Sequence, residues 1–310
     1  MAGTYIEGRF HGTAVRVKVD VPTDFLRVLI DGRAVKTLRK PGSANIMIDD
    51  LADGDRVVRL EKLTESQTGG TRFYGFCPAQ GSAALPAPPA RTRQIEFIGD
   101  SYIVGYGNTS ATTACDTTQA HDRTDTQQAF GPLAARHYQA DYEINAHSGF
   151  GIVRNYNGGS PGSNLPALYD RLSPDDAAHP LGPRGDWRPQ VIVVNLGTND
   201  FSTPVHAGER WSDRAALASA YRERYKFFVR PIAARQPQAQ IILMSSPLFS
   251  GEVDQVTEKL RMTGASTVTA LRFADLALSA CNSHPSLADD RRSADLLQQT
   301  IDHLAVCSQR

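Results

Sequence analysis

Between Pro78 and Gln94 the chain reads PAQGSAALPAPPARTRQ. Prolines and small residues at this density cannot build a core, so the stretch predicts a linker. The sequence patterns on its two sides differ. We therefore expect a β domain over residues 1–80, a linker over 81–94 and a second domain over 95–310. A chain of 310 residues is long enough for two cores.

The first region reads as short strands. In TAVRVKVDV, apolar and charged residues alternate from Val15 to Val19, the mark of a half-exposed strand. FLRVLIDGRAVKTL places two such runs around Asp31-Gly32, which predicts a hairpin. NIMIDDLADGDRVVRLEKL predicts a second hairpin around Asp53-Gly54. Several short strands separated by turns suggest a small sandwich or jelly roll. The strands legible before Cys77 are too few for it, so an opening strand is expected to be missing.

After the linker, apolar strands alternate with helical segments. Strands are predicted at Ile95–Ile98, Tyr142–Asn145, Val191–Asn195, Ile241–Ser245 and Thr267–Phe273. Helices are predicted near Gln127–Tyr138, within Ser212–Arg235 and near Ser286–Ala305. This is the pattern of an α/β fold, a parallel sheet flanked by helices. In such sheets functional residues collect in loops just past the strand C-termini.

Polar residues do collect there. The first strand runs into Gly99-Asp100-Ser101. The second is followed by His147-Ser148-Gly149-Phe150-Gly151, and VIVVNL by Gly197-Thr198-Asn199-Asp200. A fourth loop, CNSHPS, holds His284. Acyl transfer needs a nucleophile, a base to take its proton and donors for the oxyanion. Ser101 on a strand-to-helix turn suits the first role and His284 the second. The backbone N–H groups of Ser101 and Gly149 and the amide of Asn199 suit the third. Asp100 and Asp200 are expected to order loops, and His147 and His121 to stay outside the chemistry.

Taken together, GDSYIVGYGN, SGFG, GTNDFS and HPS resemble, in order, the four blocks of the SGNH hydrolases, a branch of the GDSL esterases. The wording IEFIGDS…GYGN behind a β-rich region is similar to carbohydrate esterase family 2. The resemblance implies an N-terminal jelly roll, a C-terminal SGNH domain and removal of O-acetyl groups from hemicellulose sugars. It carries Ser101 as nucleophile, Gly149 and Asn199 as oxyanion donors and His284 as base, with no metal or organic cofactor. In that family an acid commonly lies two or three residues before the histidine. Here those positions are Asn282 and Cys281. We therefore expect a Ser101–His284 dyad oriented by a neutral acceptor in 281–283, either the Asn282 amide or a backbone carbonyl. Among nearby aromatics (Tyr102, Tyr106, Phe150, Trp187, Phe201 and Trp211), Phe201 is the first choice for stacking on a sugar ring. Two alternatives remain. One is a lipase, thioesterase or arylesterase on the same scaffold; the other is a catalytically silent carbohydrate-binding protein.

Thirty-three basic and 33 acidic residues give no net charge. No footprint for nucleic acid or an acidic membrane results, and no apolar run is long enough to span a bilayer. The expected partner is an acetylated oligo- or polysaccharide. MAGTYIEGRF lacks the features of a signal peptide. The expectation is a secreted or periplasmic enzyme whose leader is absent from this chain, with a cytoplasmic one as the alternative. The cysteines at 77, 115, 281 and 307 lack zinc-ligand spacing. They read either as buried thiols or as including one disulfide, Cys281 to Cys307.

Overall fold

The structure is a computed structural model describing residues 2–66, 70–171, 178, 185–265, 267–273 and 275–304. The first region holds β1 (Tyr5–His11), β2 (Val15–Val21), β3 (Phe25–Ile30), β4 (Arg33–Arg39), β5 (Gly42–Ile48), β6 (Asp55–Lys62), β7 (Arg72–Pro78) and β8 (Ala83–Leu85). They form two antiparallel sheets, ordered β4-β3-β6-β1-β8 and β5-β2-β7. The valines at 15, 17, 19 and 21 of β2 point inward onto Leu26, Val28, Val58 and Leu60 of the larger sheet. Each such side chain, once buried, contributes about 1.5–3 kcal/mol.

Three expectations need correction here. Asp31-Gly32 does close a β3–β4 hairpin, but Asp53-Gly54 closes none. β5 pairs with β2, whereas β6 pairs with β1 and β3. The turn therefore carries the chain from one sheet to the other. The opening strand expected to be missing is present as β1, which lies between β6 and β8. Its Glu7, Arg9 and His11 alternate with Ile6 and Phe10, and only the start of its outward face is covered by the second domain. Glu7 binds Arg59 and Arg91, and the Tyr5 hydroxyl donates to Asp141. Within the predicted linker, Ala83–Leu85 forms β8 against Arg9–His11.

The second region holds β9 (Gln94–Gly99), α1 (Ser101–Val104), α2 (Thr117–Asp122), α3 (Phe130–His137), β10 (Asp141–Ala146), α4 (Leu165–Leu168), β11 (Val191–Asn195), α5 (Thr198–Phe201), α6 (Arg214–Arg235), β12 (Gln240–Ser245), α7 (Ser250–Met262), β13 (Val268–Arg272) and α8 (Leu287–His303). The five strands run parallel in the order β10-β9-β11-β12-β13. α3 and α8 cover one face, and α6 and α7 the other. Because both faces are covered, β11 is buried at every residue, and its Val191–Val194 read as an unbroken apolar run. α7 escaped the sequence reading because only Val253, Val256 and Leu260 mark its inner face among many charges.

β9 is followed in sequence by its neighbour β10 on one side and later by β11 on the other. The order therefore reverses at β9, and a crevice opens past its C-terminal end. The two domains meet firmly beside it. Thr126 donates its N–H to Leu63 O at 2.9 Å, Arg59 reaches the Tyr142 hydroxyl at 3.1 Å, and Arg27 pairs with Asp125.

Candidate active site

Gly99 ends β9 where nothing larger fits. A Cβ there would lie 2.4 Å from Ile103 Cγ1 and 2.7 Å from Asn195 O. Asp100 then caps α1, accepting the Tyr102 N–H at 3.1 Å. Ser101 is thus the first residue of a helical turn held tightly against the sheet. Its Oγ lies 2.8 Å from His284 Nε2. The other ring nitrogen, Nδ1, sits 3.0 Å from Cys281 O and 3.1 Å from Asn282 O. Backbone carbonyls accept only, so Nδ1 carries the hydrogen and Nε2 faces Ser101 with its lone pair. Burial holds the His284 pKa below its ordinary value, opposed by those two carbonyls. The ring is neutral at pH 7 and able to take a proton.

Asn282 contributes through its carbonyl, while its amide points elsewhere, to the Tyr106 hydroxyl at 3.4 Å. Tyr106 packs its ring 4.7 Å from the imidazole.

The loops after β10 and β11 close the opposite side. The backbone N–H groups of Ser101 and Gly149 donate to no protein group among the described residues. Gly149 has φ +86° and open space where a side chain would be. Asn199 is buried beside Asp100. Its amide donates to Asp100 Oδ2 at 3.2 Å and to Phe150 O at 2.9 Å. Asp200 is fully buried and binds three successive backbone N–H groups, those of Ile152, Val153 and Arg154, at 2.9–3.0 Å. It tethers the loop and does not face His284. Burial pushes Asp100 up to about 7 and Asp200 up to about 6, against the pull of the N–H groups each accepts.

Two site expectations are corrected. Phe201 is 4% exposed and packs on Tyr221 and Phe249, with Arg214 over its ring. It belongs to the core under the site and has no face for a sugar. The half-buried aromatics at the site are Tyr106 and Phe150. Cys281 is bonded to Cys115 across 166 residues, a closure worth about 5 kcal/mol on chain entropy. Cys307 lies outside the described residues, and Cys77 is an exposed free thiol.

One contributor carried no sequence signal. Glu65, in the β domain and 7% exposed, accepts the N–H of Ser148 at 2.9 Å and lies 3.7 Å from His147 Nδ1. His147 in turn packs against Phe150, ring centroids 4.1 Å apart. Among the described residues, no group of three or more His, Cys, Asp or Glu could hold a metal ion, and no helix is long and apolar enough to cross a membrane.

Residues 1–88 match the N-terminal domain of carbohydrate esterase 2, and residues 97–300 match the GDSL-like lipase/acylhydrolase family. The chain is 44% identical over 306 residues to an acetylxylan esterase / glucomannan deacetylase of Cellvibrio japonicus, covering 97% of this chain and 83% of that one. It is 30% identical to the cellulase/esterase CelE of Acetivibrio thermocellus, over 81% of this chain and 29% of that much longer one. A solved carbohydrate esterase, described as having divergent catalytic and non-catalytic binding functions, superposes with TM-score 0.90 at 40% identity, over 96% of this chain and 89% of its own. A family two esterase from Clostridium thermocellum, solved with cellohexaose, superposes with TM-score 0.86 at 26% identity, over 98% and 94%. With both of its domains matched, the chain belongs to the GDSL-like acylhydrolases and, among them, to carbohydrate esterase family 2, a family of carboxylic-ester hydrolases.

Proposed function

We propose that this chain removes O-acetyl groups from hemicellulose sugars through an acetyl-enzyme on Ser101. The observation that carries the reading is the 2.8 Å approach of Ser101 Oγ to His284 Nε2. Ser101 Oγ attacks the acetyl carbonyl while His284 takes its proton. The protonated ring then gives that proton to the departing sugar oxygen. Water, activated by the same ring, releases acetate. The unengaged N–H groups of Ser101 and Gly149 receive the oxyanion. Asn199 joins them by releasing the longer of its two bonds, the one to Asp100. Each donor contributes about 3 kcal/mol to lowering the barrier.

The substrate class is supported by the Cellvibrio relative, which is named for acetylxylan and glucomannan. The Clostridium relative, solved in complex with cellohexaose, supports a saccharide ligand. The Cys115–Cys281 bond supports work in an oxidising compartment. Acetate release from acetylated xylan, acetylated glucomannan and p-nitrophenyl acetate tests the reading. All three are expected to be hydrolysed, the polysaccharides with the higher kcat/KM. Hydrolysis of long-chain acyl esters in preference to all of them would overturn it.

A further inference from the structure

Among the described residues, no carboxylate bonds to His284; its Nδ1 rests on two carbonyls of one turn. That turn is not at ease. Asn282 and Ser283 lie consecutively in the left-handed region, at φ +52° and +58°. Non-glycine residues relax out of this region unless their surroundings hold them.

What holds them is the segment that follows the nucleophile. Cys115 is bonded to Cys281, the residue whose carbonyl accepts from His284. Thr113 O takes the Asn282 N–H at 2.8 Å. Gly107 lets the segment close on the turn, since a Cβ there would lie 2.4 Å from Cys281 Cβ. The Tyr106 hydroxyl meets the Asn282 amide, and its ring packs on His284. Segment 106–115 begins five residues after Ser101, so nucleophile and base are clamped to one piece of chain.

We propose that the Cys115–Cys281 disulfide is a positioning element of the Ser101–His284 pair: it takes the place of the absent acid by fixing the Cys281 carbonyl against Nδ1. The proposal rests on the reading of Ser101 and His284 as the reacting pair. A carbonyl orients the ring only if the carbonyl itself is immobile. A carboxylate would add charge; here the covalent bond adds rigidity instead. Small displacements of reacting groups cost rate steeply without altering how substrate binds.

The test uses the full chain, p-nitrophenyl acetate and two ways of opening the bond. Dithiothreitol reduces it to two thiols and is itself oxidised to its cyclic disulfide. Cys115→Ser removes it while keeping Cys281 and its carbonyl. Assays run well below the melting midpoint, with near-UV circular dichroism reporting the folded state and thiol titration reporting the reduction. We expect kcat to fall roughly tenfold with KM within about twofold, the folded signal to persist, and reoxidation to restore kcat. Cys115→Ser should show the same loss and be indifferent to dithiothreitol. Reduced, folded enzyme with unchanged kcat overturns the proposal. So does a loss that follows the folded signal in both preparations, which makes the bond a staple of the fold. Ser101→Ala run alongside separates the two readings: if it stays active, the reacting pair is wrong, whatever the disulfide does.

Discussion

Ser101 stands between two flanks that are held in different ways. On the base side, a covalent bond and a backbone hydrogen bond fix a strained turn, and among the described residues no charged side chain bonds to the imidazole. On the oxyanion side, buried carboxylates do the holding. Asp200 gathers three N–H groups, Asp100 receives the Asn199 amide, and Glu65 reaches over from the β domain to Ser148. The difference follows from what each flank must do. A charged partner on the base side would raise the affinity of His284 for protons. On the proposed oxyanion side, Glu65 and Asp200 accept the N–H groups of Ser148 and Ile152–Arg154, while those of Ser101 and Gly149 stay unengaged among the described residues.

The comparison breaks most sharply at its centre. Ser101→Ala removes the atom both flanks serve, so kcat is expected to fall by about 10⁴-fold or more. Its melting temperature should stay at the wild-type value, because only one oxygen is lost. Retention of even a tenth of the activity in a steady-state assay would dismiss Ser101 as nucleophile.

The oxyanion side is expected to break next. Asn199→Ala should lower kcat about 100-fold with little change in KM, since its amide is asked to bind charge that exists only in the transition state. An effect confined to KM would make Asn199 a sugar-binding residue instead.

Glu65 tests whether the β domain matters to the chemistry. Glu65→Ala leaves the Ser148 N–H without its acceptor, and kcat should fall roughly fivefold with KM unchanged. Glu65→Gln keeps an accepting oxygen and should recover most of it. Equal losses in both variants would show that charge, not the hydrogen bond, is what the loop requires.

The smallest effect is expected on the base side. Asn282→Ala keeps the carbonyl that faces Nδ1 and loses only the long contact to Tyr106, so kcat should change by no more than about twofold. A loss matching that of His284→Ala would mean that the amide, and not the main chain, orients the ring.

Much of this was legible in the sequence, and the exceptions share a cause. Ile95–Ile98 and Val191–Asn195 read as strands because both of their faces are buried, and the polar loops after them announce themselves by residue type. Sequence patterning reports what faces water and what faces a core. β1 faces a second domain, so its Tyr5, Glu7 and Arg9 look exposed when Tyr5 and Glu7 are in fact covered. Asp53-Gly54 has the letters of a hairpin, but which strands pair depends on residues far away in sequence. The same is true of Cys115 and Cys281, of Glu65 and Ser148, and of the carbonyls at His284. Phe201 was misplaced because adjacency to Asn199 and Asp200 in sequence says nothing of which side of a single helical turn a ring takes.

The order of events during synthesis follows from the 166-residue separation of the bonded cysteines. A chain still emerging can complete the β domain, then β9, β10 and β11, and already carry Ser101 and its oxyanion loops. It holds neither the bond nor the proposed base until residues 281–284 have been made. The bond and the proposed base are thus added only after all five strands of the parallel sheet have been made.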